Sequence, residues 1–213
     1  MTEDLVNLLN SKGFVLELLS PTSWIAVKRN VMLPERPEEL DELWSHHPVS
    51  FQKIKMFGKD IEIPRYQQAY GKSYRFAGIQ SEALEETPLI NRLQNQINVI
   101  CEGIGDFKFN MCLCNWYEPH HYIGPHSDDT RQLVPQSPIA CLSWGSSRVF
   151  TLTSKAKKSG TSYLVEKKRI TLNSGDLIIM GGDCQDTHKH EIEKFKKGDV
   201  KGNRVSLTFR CFV

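Results

Sequence analysis

No apolar run in the 213 residues approaches the roughly 18 that a membrane-spanning helix needs, so no span is expected. A secretory signal is also missing: Met1-Thr-Glu-Asp-Leu5 puts acids where a basic segment would stand, and an intracellular protein is expected. The six cysteines are scattered through strand-like and helix-like segments without the dense spacing of a disulfide scaffold. That argues against a small stapled secreted domain and predicts reduced thiols. Excess charge of one sign is lacking as well. With 27 Lys and Arg against 25 Asp and Glu the formal net charge is +2, so a nucleic-acid partner would have to be argued from local clusters. No internal repeat and no low-complexity tract is present.

What the chain has is the composition of one globular domain, 39% apolar and 24% charged, long enough for a sizeable core. Leu5, Leu8 and Leu9 before Gly13 predict a short helix, followed by a strand over Phe14–Leu19. A second helix is expected over Pro37–His46. A third runs from Thr87-Pro88 to Ile100 and stops at Gly103. From Phe107 the period changes to two, and Phe107, Phe109, Met111 and Leu113 predict a half-buried strand. Further strands are expected at Ile139–Trp144, Val149–Thr153, Ser162–Leu172, Leu177–Met180 and Val205–Phe212, with a hairpin at Ser159-Gly160 and a surface loop over Lys194–Asn203. Helices first and antiparallel strands after them make an α+β fold, a jelly-roll double sheet buttressed by N-terminal helices.

The chemistry is concentrated late in the chain. His126-x-Asp128 places an imidazole and a carboxylate on one side of an extended segment, and Gly124-Pro125 fixes the loop before them. Two imidazoles and one carboxylate can occupy one face of an octahedral ferrous ion and leave three positions open. The third ligand has four candidates, His120, His121, His188 and His190, between the last two of which spacing does not choose; the adjacent pair His120-His121 reads as loop decoration or a substrate contact. In Arg204-Val-Ser-Leu-Thr-Phe-Arg210, alternation puts Arg204, Ser206, Thr208 and Arg210 on one face, two guanidinium forks suited to the two ends of a small diacid. Asn115 and Tyr117 continue the inward parity of the Phe107 strand and are expected to hydrogen-bond a ligand. Basic residues gather at Lys53, Lys55, Lys59 and Arg65, and again at Lys155, Lys157, Lys158, Lys167, Lys168 and Arg169.

With these residues in view, Phe57 to Arg210 resembles the AlkB family of iron(II), 2-oxoglutarate-dependent dioxygenases. The resemblance is carried by Phe57-Gly-Lys59, Pro64-Arg65, Tyr70-Gly71, Tyr74-Arg-Phe-Ala-Gly78, Asn115-Trp-Tyr117, His126-Ser-Asp-Asp129, Ser137-Pro-Ile-Ala140, Ser143-Trp-Gly-Ser-Ser-Arg148 and Arg204–Arg210, in this order. It implies a double-stranded β-helix (jelly-roll) core over residues 105–213 and a nucleotide-recognition lid over residues 50–80, within a single domain spanning 1–213. It also implies that His126, Asp128 and His190 hold Fe(II), with His188 a neighbour, and that Asn115, Tyr117, Arg204, Thr208 and Arg210 bind 2-oxoglutarate, with O2 as co-substrate.

The implied activity is oxidative demethylation of bases such as 1-methyladenine and 3-methylcytosine in DNA, with succinate and formaldehyde as products. The implied partner is alkylated DNA, duplex or single-stranded, met by a monomer that needs no membrane and is nuclear in a eukaryote. Phe57, in Met56-Phe-Gly58, matches a hydrophobic finger suited to wedging into the stack a flipped base leaves. Tyr74 and Phe76 match the walls of the lesion pocket, Asp129 matches an acid that reads the exocyclic amine, and Arg65 is a further substrate contact. Ala77, Thr130 and Met56 depart from the pattern, where the relative carries serine, glutamate and valine. Competing readings are an RNA demethylase of the same family, a catalytically silent nucleic-acid-binding module and a zinc hydrolase; paired diacid-binding arginines argue against the last.

Overall fold

In a computed structural model of the protein, the described residues are 2–56, 58–76, 79–155, 164–195 and 202–213. Thr2 caps the first helix, α1 (Glu3–Ser11), by accepting the N–H of Leu5, and Gly13 at φ +77° turns the chain into β1 (Val15–Leu18). β1 pairs with β2 (Ser23–Lys28), and α2 (Glu38–Ser45) follows. The hairpin β3 (Lys53–Met56) with β4 (Lys59–Glu62) precedes β5 (Tyr66–Tyr70). A second hairpin, β6 (Tyr74–Phe76) with β7 (Ile79–Ser81), leads to β8 (Ala83–Leu84). In α3 (Pro88–Ile100), Thr87 accepts the Ile90 N–H and Pro88 fills the first turn, where no amide hydrogen is needed.

The second half of the chain supplies β9 (Met111–Tyr117), β10 (Ile123–His126), β11 (Ile139–Gly145), β12 (Arg148–Ser154), β13 (Lys167–Leu172) and β14 (Leu177–Gly182). The one-turn helix α4 (Cys184–Thr187), β15 (His188–Ile192) and β16 (Arg204–Arg210) complete it. An 8-stranded sheet runs β1-β2-β14-β11-β16-β9-β5-β8, and a 4-stranded sheet runs β10-β15-β12-β13. Their inner faces share one core, in which Ile25, Ile139, Ile178 and Met180 meet Phe150, Leu152, Ile170 and Ile192. This is the α+β jelly roll expected from the order of elements.

The helices cover the outer face of the large sheet. Leu9, Leu43, Leu89, Leu93 and Ile97 pack on Cys112, Cys114, Trp116, Val205, Leu207 and Phe209. Two indoles tie the layers together, Trp116 donating to Leu43 O at 2.8 Å and Trp144 to Met32 O at 2.7 Å. Because helices lie on one face and the second sheet on the other, β9 is buried along its whole length instead of half-buried. The expected strand also starts late. Phe107–Asn110 stands outside it, and Phe109 packs with the helix-side cluster, so the inward parity holds only from Met111. All six cysteines are buried and unpaired. No helix among the described residues is long and apolar enough to cross a membrane.

Within residues 50–80, β5 pairs with β9 in the large sheet, and the two hairpins on either side of it stand outside that sheet. Ser159-Gly160 and most of the Lys194–Asn203 loop lie outside the described residues. One close approach is worth testing. Gly181 pairs with Trp24 across β14 and β2, and a Cβ there would sit 2.0 Å from the indole ring. Gly181→Ala should therefore cost about 1–3 kcal/mol, the usual range for overpacking, measured as a lowered urea midpoint at constant m-value.

Candidate active site

β10 and β15 are neighbours in the small sheet, and their register sets His126 opposite His190. The two rings stand 4.2 Å apart. Asp128 lies just past β10, where two bonds hold its loop against the segment that carries His190. The Asp128 N–H donates to Gln185 Oε1 at 2.9 Å, and Ser127 Oγ donates to His188 O at 2.9 Å. As a result Asp128 Oδ1 lies 3.6 Å from His126 Nε2 and 3.8 Å from His190 Nε2. One ligand atom from each of the three falls within 4.8 Å of the others.

The tautomer of His126 suits a metal. Its Nδ1 lies 2.9 Å from Gly124 O, so that nitrogen must carry the proton and Nε2 keeps its lone pair. His188 shares the buried face of β15, but both ring nitrogens are engaged, Nδ1 with Thr187 Oγ1 at 2.8 Å and Nε2 with Val165 O at 3.0 Å. A second group, Glu118, His120 and His121, also brings ligand atoms together. There the Glu118 N–H donates to His121 Nδ1 at 3.1 Å, which leaves the proton of a neutral ring on Nε2, facing Glu118 Oε2 at 3.5 Å. With its proton there, His121 Nε2 offers no lone pair to a metal.

Asp128 divides its carboxylate. Oδ1 faces the histidines, while Oδ2 accepts a 2.7 Å bond from Arg210 Nη2. Burial works against the charged carboxylate, yet Arg210, His126 and His190 hold Asp128 well below the usual range. Burial and the facing His126 push His190 down to about 3, so its imidazole is neutral. The sequence pattern treated Arg204 and Arg210 as equivalent forks for two ends of a diacid. They differ here, because Arg210 is committed to Asp128 and stacked 4.6 Å over the Tyr74 ring.

Arg204 is fully buried at 0% exposure, and Nη2 donates to Ser143 Oγ at 2.8 Å. Its Nε and Nη1 have no partner. A buried guanidinium with two open donors is costly unless an anion completes it, and a carboxylate has the shape to do so. Arg204 lies 5.3 Å over the Tyr117 ring, its cross-strand neighbour. Arg65 donates through Nε to Asn115 Oδ1 at 2.8 Å and through Nη2 to Gln67 Oε1 at 2.8 Å. Only 6% exposed, Arg65 is not part of a basic surface cluster. Burial lowers its pKa.

One cavity of about 360 Å³, a size suited to small ligands, is lined by His126, Asp128, His190, Asn115, Tyr117, Thr208 and Arg210 and also by Arg65, Tyr74, Phe76 and Asp129, while Arg204 lies behind Tyr117 and does not line it. Tyr74 and Phe76 stack at 5.6 Å and 14°. The Asp129 carboxylate accepts from the Arg131 N–H at 3.0 Å and from its Nε, which holds it in the charged form. The donor set thus fits a metal on one side and a carboxylate ligand on the other.

Residues 28–210 match the 2OG-Fe(II) oxygenase superfamily. The chain belongs to that superfamily. It is similar to the DNA oxidative demethylase ALKBH2 of Homo sapiens, 31% identical over 81% of this chain and 66% of that protein. The Mus musculus ALKBH2 is 32% identical over 81% of this chain and 72% of its own length, which places the chain in the AlkB branch. The alpha-ketoglutarate-dependent dioxygenase alkB homolog 3 of Homo sapiens is 34% identical over 69% of this chain and 51% of that protein. The chain thus spans 66% of the human ALKBH2, just under two thirds of its length. A solved structure of OsALKBH1 superposes with a TM-score of 0.55 at 18% identity, covering 92% of this chain and 100% of that one, a likeness of fold.

The cofactors of this oxygenase are Fe(II), 2-oxoglutarate and O2. Several residues around its site were not singled out from the sequence. Ser143 stood inside a recognised segment without a role, although its place opposite Ser206 in the register puts it beside Arg204. Gln67 lines the cavity two residues after Arg65, an alternation visible only once β5 is known to be a strand. Gln185 carried no pattern at all. Phe57 and Ala77 lie outside the described residues. Of the basic clusters, Lys53 pairs with Glu62, Lys168 with Glu17 and Arg169 with Glu193, while Lys157 and Lys158 are outside the described residues.

Proposed function

We propose that this oxygenase removes N-methyl groups from bases such as 1-methyladenine and 3-methylcytosine in DNA. The observation that carries the reading is the stacked Tyr74–Phe76 pair in the same cavity as the His126–Asp128–His190 group. Aromatic walls beside a metal group suit a planar base presented edge-on with its methyl inward. In this reading His126, Asp128 and His190 hold the iron, and Asn115, Tyr117, Arg204, Thr208 and Arg210 hold 2-oxoglutarate. When bound, iron(II) with 2-oxoglutarate and O2 supplies oxidation of the N-methyl carbon to a hydroxymethyl group, 2-oxoglutarate leaving as succinate and carbon dioxide.

The chain's own residues then have separate tasks. Arg210 keeps Asp128 ionised and turns one oxygen toward the histidines. Arg65 holds the Asn115 amide with its oxygen turned away, which leaves the NH2 for the co-substrate. Asp129, charged and fixed by Arg131, accepts from an exocyclic amine and so favours adenine and cytosine lesions. The hydroxymethylated nitrogen loses formaldehyde without needing another protein group. The two hairpins within residues 50–80 form the nucleotide-recognition lid of a single domain, 1–213, over a core at 105–213; Phe57 is the wedge, and duplex DNA is the substrate its finger suits. The likeness to ALKBH2, named a DNA oxidative demethylase, supports DNA over RNA and an intracellular, nuclear place in a eukaryote.

The deciding experiment is formaldehyde and succinate release over single-stranded DNA, duplex DNA and RNA carrying 1-methyladenine or 3-methylcytosine. Turnover on DNA above RNA is expected. Turnover confined to RNA would replace DNA with RNA as the substrate, and succinate without formaldehyde on every oligonucleotide would remove nucleic-acid demethylation.

A further inference from the structure

Gln67 is a buried amide whose two ends have unequal fates. The residue is 1% exposed and lines the cavity from β5. Its Oε1 accepts from Arg65 Nη2 at 2.8 Å. A guanidinium only donates, so this contact fixes the amide orientation and leaves Nε2 on the other side. That nitrogen has no hydrogen-bond partner. A buried donor left unpaired costs stability that an apolar side chain of similar shape would not.

Its position relates it to the site. Gln67 is opposite Asn115, Asn115 opposite Ser206, and Ser206 opposite Ser143, a row of polar side chains across four strands of the large sheet. The far end of this row, Ser143, meets Arg204 on the co-substrate side. Gln67 is at the near end, on the same strand-to-hairpin segment as Tyr74 and Phe76, which follow β5 directly. Asp129 reaches the cavity from a different support, the loop beyond β10 of the small sheet. The cavity is therefore lined by Asp129, an acceptor, from the side of the small sheet and by Gln67, whose buried Nε2 is unpaired, from the large one.

We propose that Gln67 is a specificity-determining residue whose Nε2 donates to a ring carbonyl of the base, the position that is O2 in 3-methylcytosine and C–H in 1-methyladenine. The inference rests on the base-demethylase reading above. In both lesions the methylated nitrogen has on one side the carbon bearing the exocyclic amine, which suits Asp129. On its other side the two bases differ, C=O in cytosine and C2–H in adenine. A donor there satisfies one and meets only a C–H in the other, so 3-methylcytosine becomes the better substrate.

Gln67→Glu is the sharpest variant, because it keeps an oxygen for Arg65 and exchanges the donor for an acceptor. Gln67→Met removes both groups at similar volume. The measurement is kcat/KM for formaldehyde release from the same DNA sequence carrying either lesion, together with the KM for 2-oxoglutarate and the melting temperature. In Gln67→Glu, 3-methylcytosine should lose about 10- to 100-fold, as expected when a buried polar group is left unmatched. 1-Methyladenine and the 2-oxoglutarate KM should change little. Gln67→Met should shift the lesion ratio in the same direction. Equal losses on both lesions, or a rise in the 2-oxoglutarate KM with the lesion ratio unchanged, would overturn the role of Gln67 while wild-type turnover leaves the demethylase reading standing. Wild-type protein that releases formaldehyde from neither lesion removes both.

Discussion

Asp128→Ala and His126→Ala should both abolish turnover, yet only the first should weaken the metal-free protein substantially. Asp128 forms a 2.7 Å ion pair with Arg210, and both side chains are almost wholly buried. Removing one member of such a pair leaves the other charged and unpaired, typically at about 3–5 kcal/mol. His126 has a side chain 31% exposed, and the structure gives it one backbone hydrogen bond, to Gly124 O. Its loss should cost no more than about 1 kcal/mol. Calorimetry of the EDTA-treated proteins should therefore show Asp128→Ala melting lower by about 6–20 °C, at roughly 2–4 °C per kcal/mol for a chain of this size. The pH dependence has a definite sign. Because Asp128 is held below its ordinary value, its contribution is fully present above the unfolded pKa of about 3.9 and is lost as pH falls through the lowered native value. The gap between wild type and Asp128→Ala should thus close in acid. Equal melting temperatures for the two variants at neutral pH would sink the claim that Arg210 depends on Asp128.

The same pair shows where sequence reading reaches its limit. Alternation in Arg204–Arg210 correctly placed Arg204, Ser206, Thr208 and Arg210 opposite Val205, Leu207 and Phe209, since a strand has only two faces. It could not say that Arg210 gives Nη2 to Asp128 and keeps one unpaired donor, Nε, while Arg204 keeps two, Nε and Nη1, because that depends on which groups lie next to β16 in space. The helices α1, α2 and α3 were legible from caps and apolar spacing, as Thr87-Pro88 before Leu89, Leu93 and Ile97 shows, whereas the one-turn α4 was not. The strands β2, β5, β10 and β15 were not. β10 is four residues, IGPH, and β15 is HKHEI, neither with an apolar alternation to announce a strand. They are strands because neighbours complete their ladders, and they carry His126 and His190. Spacing alone left His188 and His190 open; the engaged ring nitrogens of His188 separate them, a contact with Val165 that no local pattern encodes.

Arg204 carries the opposite combination of effects. Arg204→Lys keeps the charge but loses the planar fork, and the KM for 2-oxoglutarate should rise about 10- to 100-fold, the worth of one or two charge-assisted hydrogen bonds. Arg204→Met should raise it further. In the ligand-free protein, however, the Arg204 guanidinium is buried with Nε and Nη1 unpaired, and among the described residues its one side-chain hydrogen bond is to the neutral Ser143. Replacing an incompletely paired buried cation by a well-packed apolar chain is often neutral or stabilising. Arg204→Met should therefore melt at or above the wild-type temperature without 2-oxoglutarate, and the wild type should overtake it as 2-oxoglutarate and a redox-inert divalent metal are added, because ligand binding stabilises only the protein that binds. Arg210→Met should differ in kind, losing stability without ligand because Asp128 is then left without its guanidinium. An unchanged 2-oxoglutarate KM in both Arg204 variants would remove Arg204 from the co-substrate site. A strong loss of ligand-free stability in Arg204→Met would mean that its open donors are satisfied within the fold and are not held for a ligand.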